Sequence, residues 1–138
     1  WTLPGERHKS GNAHTVPLTR AALRIIGQRP RVDDCEYVFT TDGEHPVSGF
    51  SKFKAALSDA ASVPADSWRL HDVRRTVGTG LGRLGHPRFI TEKVLGHSDR
   101  SVTSIYDRYD YDPQKRAALR AWAVHALHCR ARYRRAKQ

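Results

Sequence analysis

Apolar residues at helical spacing, separated by glycine and proline, restrict this chain to a mainly helical fold. In its second half, four such residues recur at intervals of three or four positions: Val73, Val77, Leu81 and Leu84. This period predicts a helix over residues 71–84 that ends at Gly85-His86-Pro87. Pro87 suits the first position of a second helix, which Gly96 ends.

Further helices are predicted on both sides of this pair. Thr19 suits the N-cap of a helix that stops near Gly27. Ser48 suits the N-cap of the next helix, whose apolar residues Phe50, Phe53, Leu57 and Ala60 keep a helical period. A short helix is predicted over residues 101–108, and a longer helix begins at Pro113.

The last of these helices carries a narrow apolar stripe, formed by Leu119, Trp122, Ala123, Ala126 and Leu127. Such a stripe must be buried. It packs either against the core of its own chain or against a neighbouring protomer, and both arrangements are compatible with the sequence.

The N-terminal segment is predicted to form a β-hairpin. Residues 1–4 and 15–18 are short extended runs, and Lys9-Ser10-Gly11-Asn12 between them is a turn signal. Prolines at positions 4 and 17 favour short or edge-like strands. Residues 37–39 are either a strand or an extended buried segment. The predicted fold class is therefore α+β and mainly α-helical, with a small hairpin or sheet at the N-terminal end.

The charge of the chain indicates a polyanionic partner. Its 138 residues include 24 Lys and Arg against 14 Asp and Glu, a net charge of +10 with an isoelectric point of about 10.2. Nucleic acid is the partner expected for such a surface. No run of about 18 apolar residues and no signal-peptide pattern is present, so we expect a soluble, cytoplasmic protein without membrane association.

Five side chains form a pattern that points to chemistry. His71 and Arg74 are three residues apart, which on a helix places both on one face. His97 follows the second helix, and Tyr106 lies nine residues beyond His97. Lys9 lies near the tip of the predicted hairpin.

These residue types suit attack on a phosphodiester. Its transition state is crowded and negatively charged, so a catalyst needs fixed donors around the non-bridging oxygens, a nucleophile and a proton donor. Arginine can hold two phosphate oxygens at once. Histidine acts as donor, acid or base near neutral pH, and lysine can protonate a leaving hydroxyl. Tyrosine, whose free pKa is about 10, can attack when such groups surround it.

Several segments together resemble the catalytic domain of tyrosine recombinases of the phage integrase type. They are Trp68-Arg69-Leu70-His71-Asp72-Val73-Arg74-Arg75-Thr76, Leu95-Gly96-His97, Ile105-Tyr106-Asp107-Arg108 and Lys115-Arg116-Ala117-Ala118-Leu119. Residues 6–18, which contain Lys9 and His14-Thr15-Val16-Pro17-Leu18, resemble the lysine-bearing hairpin of the same family. The resemblance covers nearly the whole chain, except residues 29–46 and the basic C-terminal tail.

The resemblance implies that the chain breaks and rejoins DNA through a 3′-phosphotyrosyl intermediate. Tyr106 would be the nucleophile, and Lys9 would protonate the leaving 5′-oxygen. Arg74, His71 and His97 would bind the non-bridging oxygens, with His71 also helping to deprotonate the tyrosine. No metal and no other cofactor is implied, because the bond energy is retained in the phosphotyrosine.

The resemblance also implies the partners. These are double-stranded DNA with attachment sites and further copies of the chain, as a homo-oligomer on that DNA. Four basic residues are expected to contact DNA: Arg75, Lys93, Arg100 and Arg108. The implied role is integration or excision of a phage, prophage or other mobile element, in the nucleoid of a bacterium.

Two segments are expected along the chain. Residues 1–129 would form part of the catalytic domain, and residues 130–138 a basic tail that contacts phosphate or is simply solvated. The family uses another arginine, upstream of its hairpin. Because the chain begins at Trp1, we expect that arginine to be missing and the isolated chain to be inactive or very weak.

Two other functions are compatible with parts of the sequence. A non-catalytic DNA-binding module would explain the charge but not the spacing of His97 and Tyr106. A type IB topoisomerase would use a similar cluster to relax supercoils without exchanging partners.

Tyr109 and Tyr111 compete with Tyr106 as the nucleophile, and the nine-residue spacing favours Tyr106.

A zinc-dependent nuclease is a further alternative. His125, His128 and Cys129 have the helical spacing of metal ligands. They are only three, and they lie beside the apolar stripe of the last helix. We therefore expect no metal.

Overall fold

The computed structural model is mainly helical, and it describes residues 1–97, 106, 107 and 109–136. Within that part of the chain, two strands and five α-helices follow one another: β1 (Thr2–Leu3), β2 (His14–Thr15), α1 (Arg20–Gly27), α2 (Phe50–Ala61), α3 (Leu70–Arg83), α4 (Arg88–Leu95) and α5 (Asp112–Ala136). The predicted α+β, mainly helical fold class is confirmed. The helix predicted over residues 101–108 lies outside the described residues, apart from Tyr106 and Asp107. No helix in the described ranges is long and apolar enough to cross a membrane.

The chain divides into two compact units. One consists of Trp1–Arg20 and Arg74–Gln138, and the other of Ala21–Val73. The boundary between them falls inside α3. The predicted division at residue 129 falls inside α5, and it stays a prediction.

The predicted β-hairpin is confirmed, although its strands are shorter than the extended runs in the sequence. β1 and β2 are antiparallel, with Thr2 opposite Thr15 and Leu3 opposite His14. The hydroxyls of the two threonines are 3.2 Å apart. A 3-10 turn over Gly5–Arg7 lies in the connection between the strands, and Lys9 follows it in a turn, as predicted.

The core of the first unit is small and joins its three helices. Leu81 of α3, Ile90 and Val94 of α4, and Ala118 of α5 are at most 8% exposed. Complete burial of a side chain such as Leu or Ile stabilises a fold by about 1.5–3 kcal/mol. These few residues therefore provide much of the packing that holds α3, α4 and α5 together.

A buried lysine fastens the hairpin to α5. Lys115 is 5% exposed, and its Nζ donates a hydrogen bond to the carbonyl of Thr15 at 3.0 Å. The same ammonium lies 2.8 Å from a carboxylate oxygen of Asp112. A buried charge is tolerated when it is paired in this way. Lys115 thereby connects β2 to the start of the last helix.

The apolar stripe of α5 is partly buried in its first half and exposed in its second half. Leu119 and Trp122 pack against the core of the first unit. Further along the helix, Leu127 is 49% exposed and Val124 is 55% exposed. The first half of the stripe thus packs on the chain's own core. Packing of the second half against another protomer stays a prediction.

In the second unit, a tryptophan joins α2 to the start of α3. The Nε1 of Trp68 donates a hydrogen bond to Oγ of Ser58 at 2.8 Å, and Ser58 is 1% exposed. At the start of α3, the carboxylate of Asp72 accepts a hydrogen bond from the backbone N–H of Arg69 at 2.8 Å. This bond pairs one of the backbone donors that a helix leaves unpaired at its N-terminus.

The predicted cap of α2 is wrong. The N-cap is Gly49, not Ser48, and no side chain caps this end of the helix. Gly49 has a φ of +75°, in the left-handed region that glycine enters without a steric penalty. The preference of serine for N-cap positions was therefore overridden by the conformational freedom of the glycine that follows it.

The predicted strand or buried segment at residues 37–39 is also wrong. These three residues form no strand, and they are between 42% and 54% exposed. Pairing in this region is limited to an isolated bridge between Thr40 and Pro46 and a bond from the N–H of Val47 to the carbonyl of Phe39. The carboxylate of Asp42 accepts backbone hydrogen bonds inside the loop, which closes a local turn in place of a ladder.

We predict different effects on stability when two glycines of α3 are each replaced by alanine. A Cβ on buried Gly80 would overlap the ring of Trp122, whereas a Cβ on Gly82 would meet nothing within 4 Å. Gly80→Ala should lower the free energy of unfolding by about 1–3 kcal/mol, because the indole must move. Gly82→Ala should leave it unchanged or raise it by up to about 1 kcal/mol, because alanine favours the helix. Equilibrium unfolding in urea measures both, and equal effects would contradict the contact between Gly80 and Trp122.

Candidate active site

An open cavity of about 920 Å³ lies on the first unit. The hairpin turn, α3 and the C-terminal end of α4 contribute its wall. The lining residues are His8, Lys9, Ser10, Asn12, Arg74, Glu92, Leu95, Gly96 and His97. Three residues selected from the sequence, Lys9, Arg74 and His97, therefore lie around one cavity although they come from three separate segments.

The end of α4 brings Gly96 and His97 into the cavity wall. Gly96 has a φ of +67°, and its N–H donates to the carbonyl of Lys93 at 3.3 Å. The N–H of His97 donates to the carbonyl of Glu92 at 3.0 Å. This pair of bonds is a Schellman motif, which ends a helix and turns the chain back. The prediction that Gly96 ends the helix, with His97 just beyond it, is confirmed.

The guanidinium of Arg74 is held at the same turn. Its Nη2 donates a hydrogen bond to the carbonyl of Leu95, the last residue of α4. The last carbonyls of a helix lack partners within the helix and carry partial negative charge, so a cation is favoured there. A guanidinium has five N–H donors. Arg74 is exposed, and the remaining donors can bind an anion in the cavity.

Lys9 lies in a turn that is fixed on both sides. The Nδ1 of His8 and the Oγ of Ser10 are within hydrogen-bonding distance, at 2.7 Å. The ring of His8 stacks on the ring of His14, with 5.5 Å between their centroids. Lys9 itself is exposed. The flanking contacts hold the backbone of the turn while the lysine side chain remains accessible from solvent.

His14 is a neighbour of the site to which sequence reasoning gave no role. A Cβ on Gly96 would lie only 3.0–3.3 Å from three atoms of the His14 ring, so the ring packs directly on this glycine. Burial, followed by the charges of His8 and Lys115, lowers the pKa of His14 below its ordinary value. Only the position of His14 on β2 was readable in the sequence, because its contact with Gly96 requires the hairpin and α4 to pack together.

The cavity is suited to an oxyanion. Lys9 and Arg74 supply positive charge, and His97 supplies ring nitrogens at its rim. Glu92 is the acidic residue in the lining. Its Oε1 lies 2.8 Å from the Nε of Arg88, and the positive charge of Arg88 offsets the charge of the carboxylate. The wall is thus predominantly cationic, as expected for a site that binds phosphate.

Two of the selected residues do not line this cavity. His71 lies three residues before Arg74 in α3, its side chain is exposed, and it belongs to the other compact unit. Tyr106 is 82% exposed. The catalytic roles of both residues stay predictions.

The two competing tyrosines differ in their surroundings. Tyr109 is 51% exposed, and its ring packs edge-to-face on Tyr111 with 4.8 Å between centroids. Tyr111 is partly buried and donates its hydroxyl hydrogen to Asp107 at 2.6 Å. That hydrogen bond is the main cause that raises the pKa of Tyr111 above its ordinary value. Tyr111 is therefore poorly suited to act as a nucleophile.

The four residues expected to contact DNA fall into two groups. Arg75 is exposed on α3, and Lys93 of α4 is partly buried, with its ammonium 5.5 Å from the ring centroid of Tyr111. Arg100 and Arg108 lie outside the described residues. All four roles stay predictions.

The metal-like spacing on the last helix brings only two side chains together. The Sγ of Cys129 lies 3.6 Å from Nε2 of His125. Across the residues that the structure describes, no group of three or more His, Cys, Asp or Glu side chains could hold a metal ion. The helix therefore offers no zinc site within that part of the chain.

We predict that Gly96 tolerates substitution less well than Gly85. Both glycines end a helix in the left-handed conformation, but a Cβ on Gly85 would meet nothing within 4 Å. Replacing either glycine by alanine should lower the free energy of unfolding by about 1–2 kcal/mol, because a residue with a Cβ is disfavoured in the left-handed conformation. Gly96→Ala should cost about 1–3 kcal/mol more, because the ring of His14 must move. Urea unfolding compares the two variants, and equal losses would exclude tight packing of His14 on Gly96.

Residues 1–112 match the model of the phage integrase family. The chain is 31% identical over 127 residues to the prophage integrase IntA of Escherichia coli (strain K12), which covers 89% of the chain and 30% of that protein. It is 29% identical over 129 residues to the tyrosine recombinase XerA of Pyrococcus furiosus, covering 82% of the chain and 41% of that protein. Transposase B from transposon Tn554 of Staphylococcus aureus is 28% identical over 111 residues, or 71% of the chain and 18% of that protein.

These relatives are much longer than the chain, which spans between 18% and 41% of their lengths. No solved structure matches it. The family model covers the hairpin, the helix that carries Arg74, the turn that carries His97, and Tyr106. With that coverage, the chain belongs to the phage integrase family.

Proposed function

We propose that this chain is the catalytic part of a site-specific DNA recombinase that cuts and rejoins strands through a tyrosine. The observation that supports it best is the cavity in which Lys9, Arg74 and His97 meet. Three segments that are distant in the chain converge there on a space that fits a phosphate. Basic side chains that only face solvent would have no reason to lie around one cavity.

In the proposed reaction, the hydroxyl oxygen of Tyr106 attacks the scissile phosphorus. The new bond is a 3′-phosphotyrosyl ester, and the bond from phosphorus to the 5′-oxygen breaks. His71 takes the proton of the tyrosine, and Lys9 gives a proton to the leaving 5′-oxygen. Rejoining reverses these steps with the 5′-hydroxyl of another strand.

Arg74 and His97 would stabilise the charge that develops on the non-bridging oxygens. The bond from Arg74 to the carbonyl of Leu95 orients the guanidinium before the substrate arrives. The Schellman motif fixes the backbone of His97 in the same way. Donors that are fixed in advance stabilise a transition state without reorganisation during the reaction. No metal or nucleotide is needed, since each step exchanges one phosphodiester for another.

Double-stranded DNA with attachment sites is the proposed substrate. The net charge of +10 would neutralise phosphates along the duplex. Arg75 follows Arg74 on α3 and Lys93 follows Glu92 on α4, and we propose that they, with Arg100 and Arg108, contact the DNA backbone. Likeness to a prophage integrase suggests a mobile element as the carrier of those sites. We also propose that copies of the chain assemble on the DNA, inside a bacterial cell.

Residues 1–129 are proposed as part of the catalytic domain, and residues 130–138 as a basic segment outside it. After Asp112, the chain has no acidic residue, so this part of α5 offers positive charge to a polyanion. This charge would raise the affinity for DNA without reading its sequence.

We predict that Tyr106→Phe abolishes formation of a covalent DNA adduct. The assay uses the protein together with the upstream segment in which the family carries its further arginine. The substrate is a library of nicked duplexes whose short cut strand diffuses away, so that even a slow reaction accumulates adduct. Mass spectrometry of DNA-linked peptides should locate the phosphotyrosine at Tyr106. Tyr109→Phe removes a neighbouring hydroxyl and should leave the adduct in place.

Three outcomes would contradict this assignment. An adduct at Tyr109 would keep the reaction and change the nucleophile. An adduct that persists in Tyr106→Phe would exclude Tyr106. Tight DNA binding by the protein that includes the upstream segment, with no adduct on any duplex, would favour the non-catalytic binding module.

A further inference from the structure

We propose that Tyr111 is a positioning residue for the nucleophile, because it fastens the segment that follows Tyr106 to α4. This inference rests on the proposed function, in which Tyr106 attacks the phosphate. It concerns a tyrosine that takes no part in the reaction itself. The evidence lies in the contacts of its ring, its hydroxyl and its backbone.

The ring of Tyr111 is anchored to the folded core. It packs against the buried cluster of the first unit, which includes Ile90 and Val94 of α4. Phe89, also on α4, meets it edge-to-face with 5.5 Å between centroids. The ammonium of Lys93 lies 5.5 Å from its centroid, within the range of a cation–π contact. Phe89 and Lys93, both on α4, therefore contact this ring in addition to the buried cluster.

The hydroxyl of Tyr111 connects this anchor to the neighbour of the nucleophile. It donates a hydrogen bond of 2.6 Å to Oδ2 of Asp107, the residue that follows Tyr106. The other oxygen, Oδ1, accepts a hydrogen bond from the backbone N–H of Tyr109 at 3.2 Å. Both carboxylate oxygens are thus used within this segment. Asp107 is partly buried, so these bonds are less exposed to competition from water than those at the surface.

The backbone of Tyr111 is held in a conformation that the surrounding contacts must impose. Its φ is +57°, in the left-handed region that residues with a Cβ rarely adopt. Its carbonyl accepts a hydrogen bond from the N–H of Lys115 at 2.8 Å, in the first turn of α5. Tyr111 is therefore fixed by α4 on its side-chain side and by α5 on its backbone side.

These contacts define what Tyr111 would do for the reaction. Attack requires the tyrosine oxygen to be held in line with the bond that breaks, and displacement by about 1 Å can slow such a step by about 100-fold. The clamp formed by Tyr111 and Asp107 restricts the chain one residue beyond Tyr106. It would thereby limit the positions available to the nucleophile without contacting the DNA.

The test removes the hydrogen bond between Tyr111 and Asp107 from either side, and Asp107→Ala also removes the acceptor of the Tyr109 N–H. Tyr111→Phe keeps the ring and its packing, and Asp107→Ala removes the acceptor. Both variants should form the Tyr106 adduct about tenfold more slowly while binding the nicked duplex with unchanged affinity. The reason is that positioning changes the rate at which Tyr106 attacks the phosphate and not the affinity for DNA. The double variant should be no slower than Asp107→Ala alone, because the bond that Tyr111→Phe removes is already lost in Asp107→Ala. Tyr109→Phe, which removes a hydroxyl from the adjacent ring, should keep the parent rate.

Hydrogen exchange gives a second readout that does not depend on chemistry. The amide of Tyr109, which donates to Asp107, should exchange about tenfold faster in Tyr111→Phe than in the parent chain, while amides of the α4 core should keep their protection. Faster exchange throughout the core would indicate general destabilisation and would overturn a positioning role. A parent-like rate of adduct formation in Tyr111→Phe would also overturn it, with the proposed function left intact. A parent protein that includes the upstream segment and still forms no adduct would overturn the proposed function, and with it the role of Tyr111.

Discussion

The close approach of the hairpin to the end of α4 is the contact on which the candidate site depends. His14 packs directly on Gly96, which glycine alone permits at that distance and with that φ. Lys115 holds the adjacent residue of β2 from the other side, through its bond to Thr15. If either contact were lost, Lys9 would no longer be held beside the turn that carries His97. The site is therefore a property of tertiary packing more than of any one segment.

The parts of the fold that depend on local backbone chemistry could be predicted from the sequence. The helical period of α3, the stop at Gly85 and the end of α4 at Gly96 need only neighbouring residues, and the structure agrees with all three. The hairpin was predictable for the same reason. Assigning Lys9 to one site with Arg74 and His97 needed the family resemblance, because no local rule relates segments so far apart in the chain.

Contacts between distant segments were not predictable. In the sequence, Lys115 is one of many cations on a basic helix. Its burial follows only from the packing of the hairpin on α5. In the sequence, Tyr111 is either a rival nucleophile or an ordinary packing or DNA-contacting tyrosine, and nothing there indicates that its hydroxyl bonds to Asp107. The cap of α2 failed for another reason, since the left-handed φ of Gly49 replaced the side-chain cap expected from Ser48. In each case the interaction that decided the structure was invisible to sequence periodicity.

The most direct test of the account is a titration of the isotopically labelled chain with inorganic phosphate, followed by nuclear magnetic resonance. Lys9, Arg74 and His97 are proposed to bind one phosphate together. Signals from all three residues should therefore shift together with one dissociation constant, and Arg74→Ala should weaken the response at Lys9 and His97 alike. Independent responses at the three residues, or shifts that persist unchanged in Arg74→Ala, would contradict a shared site.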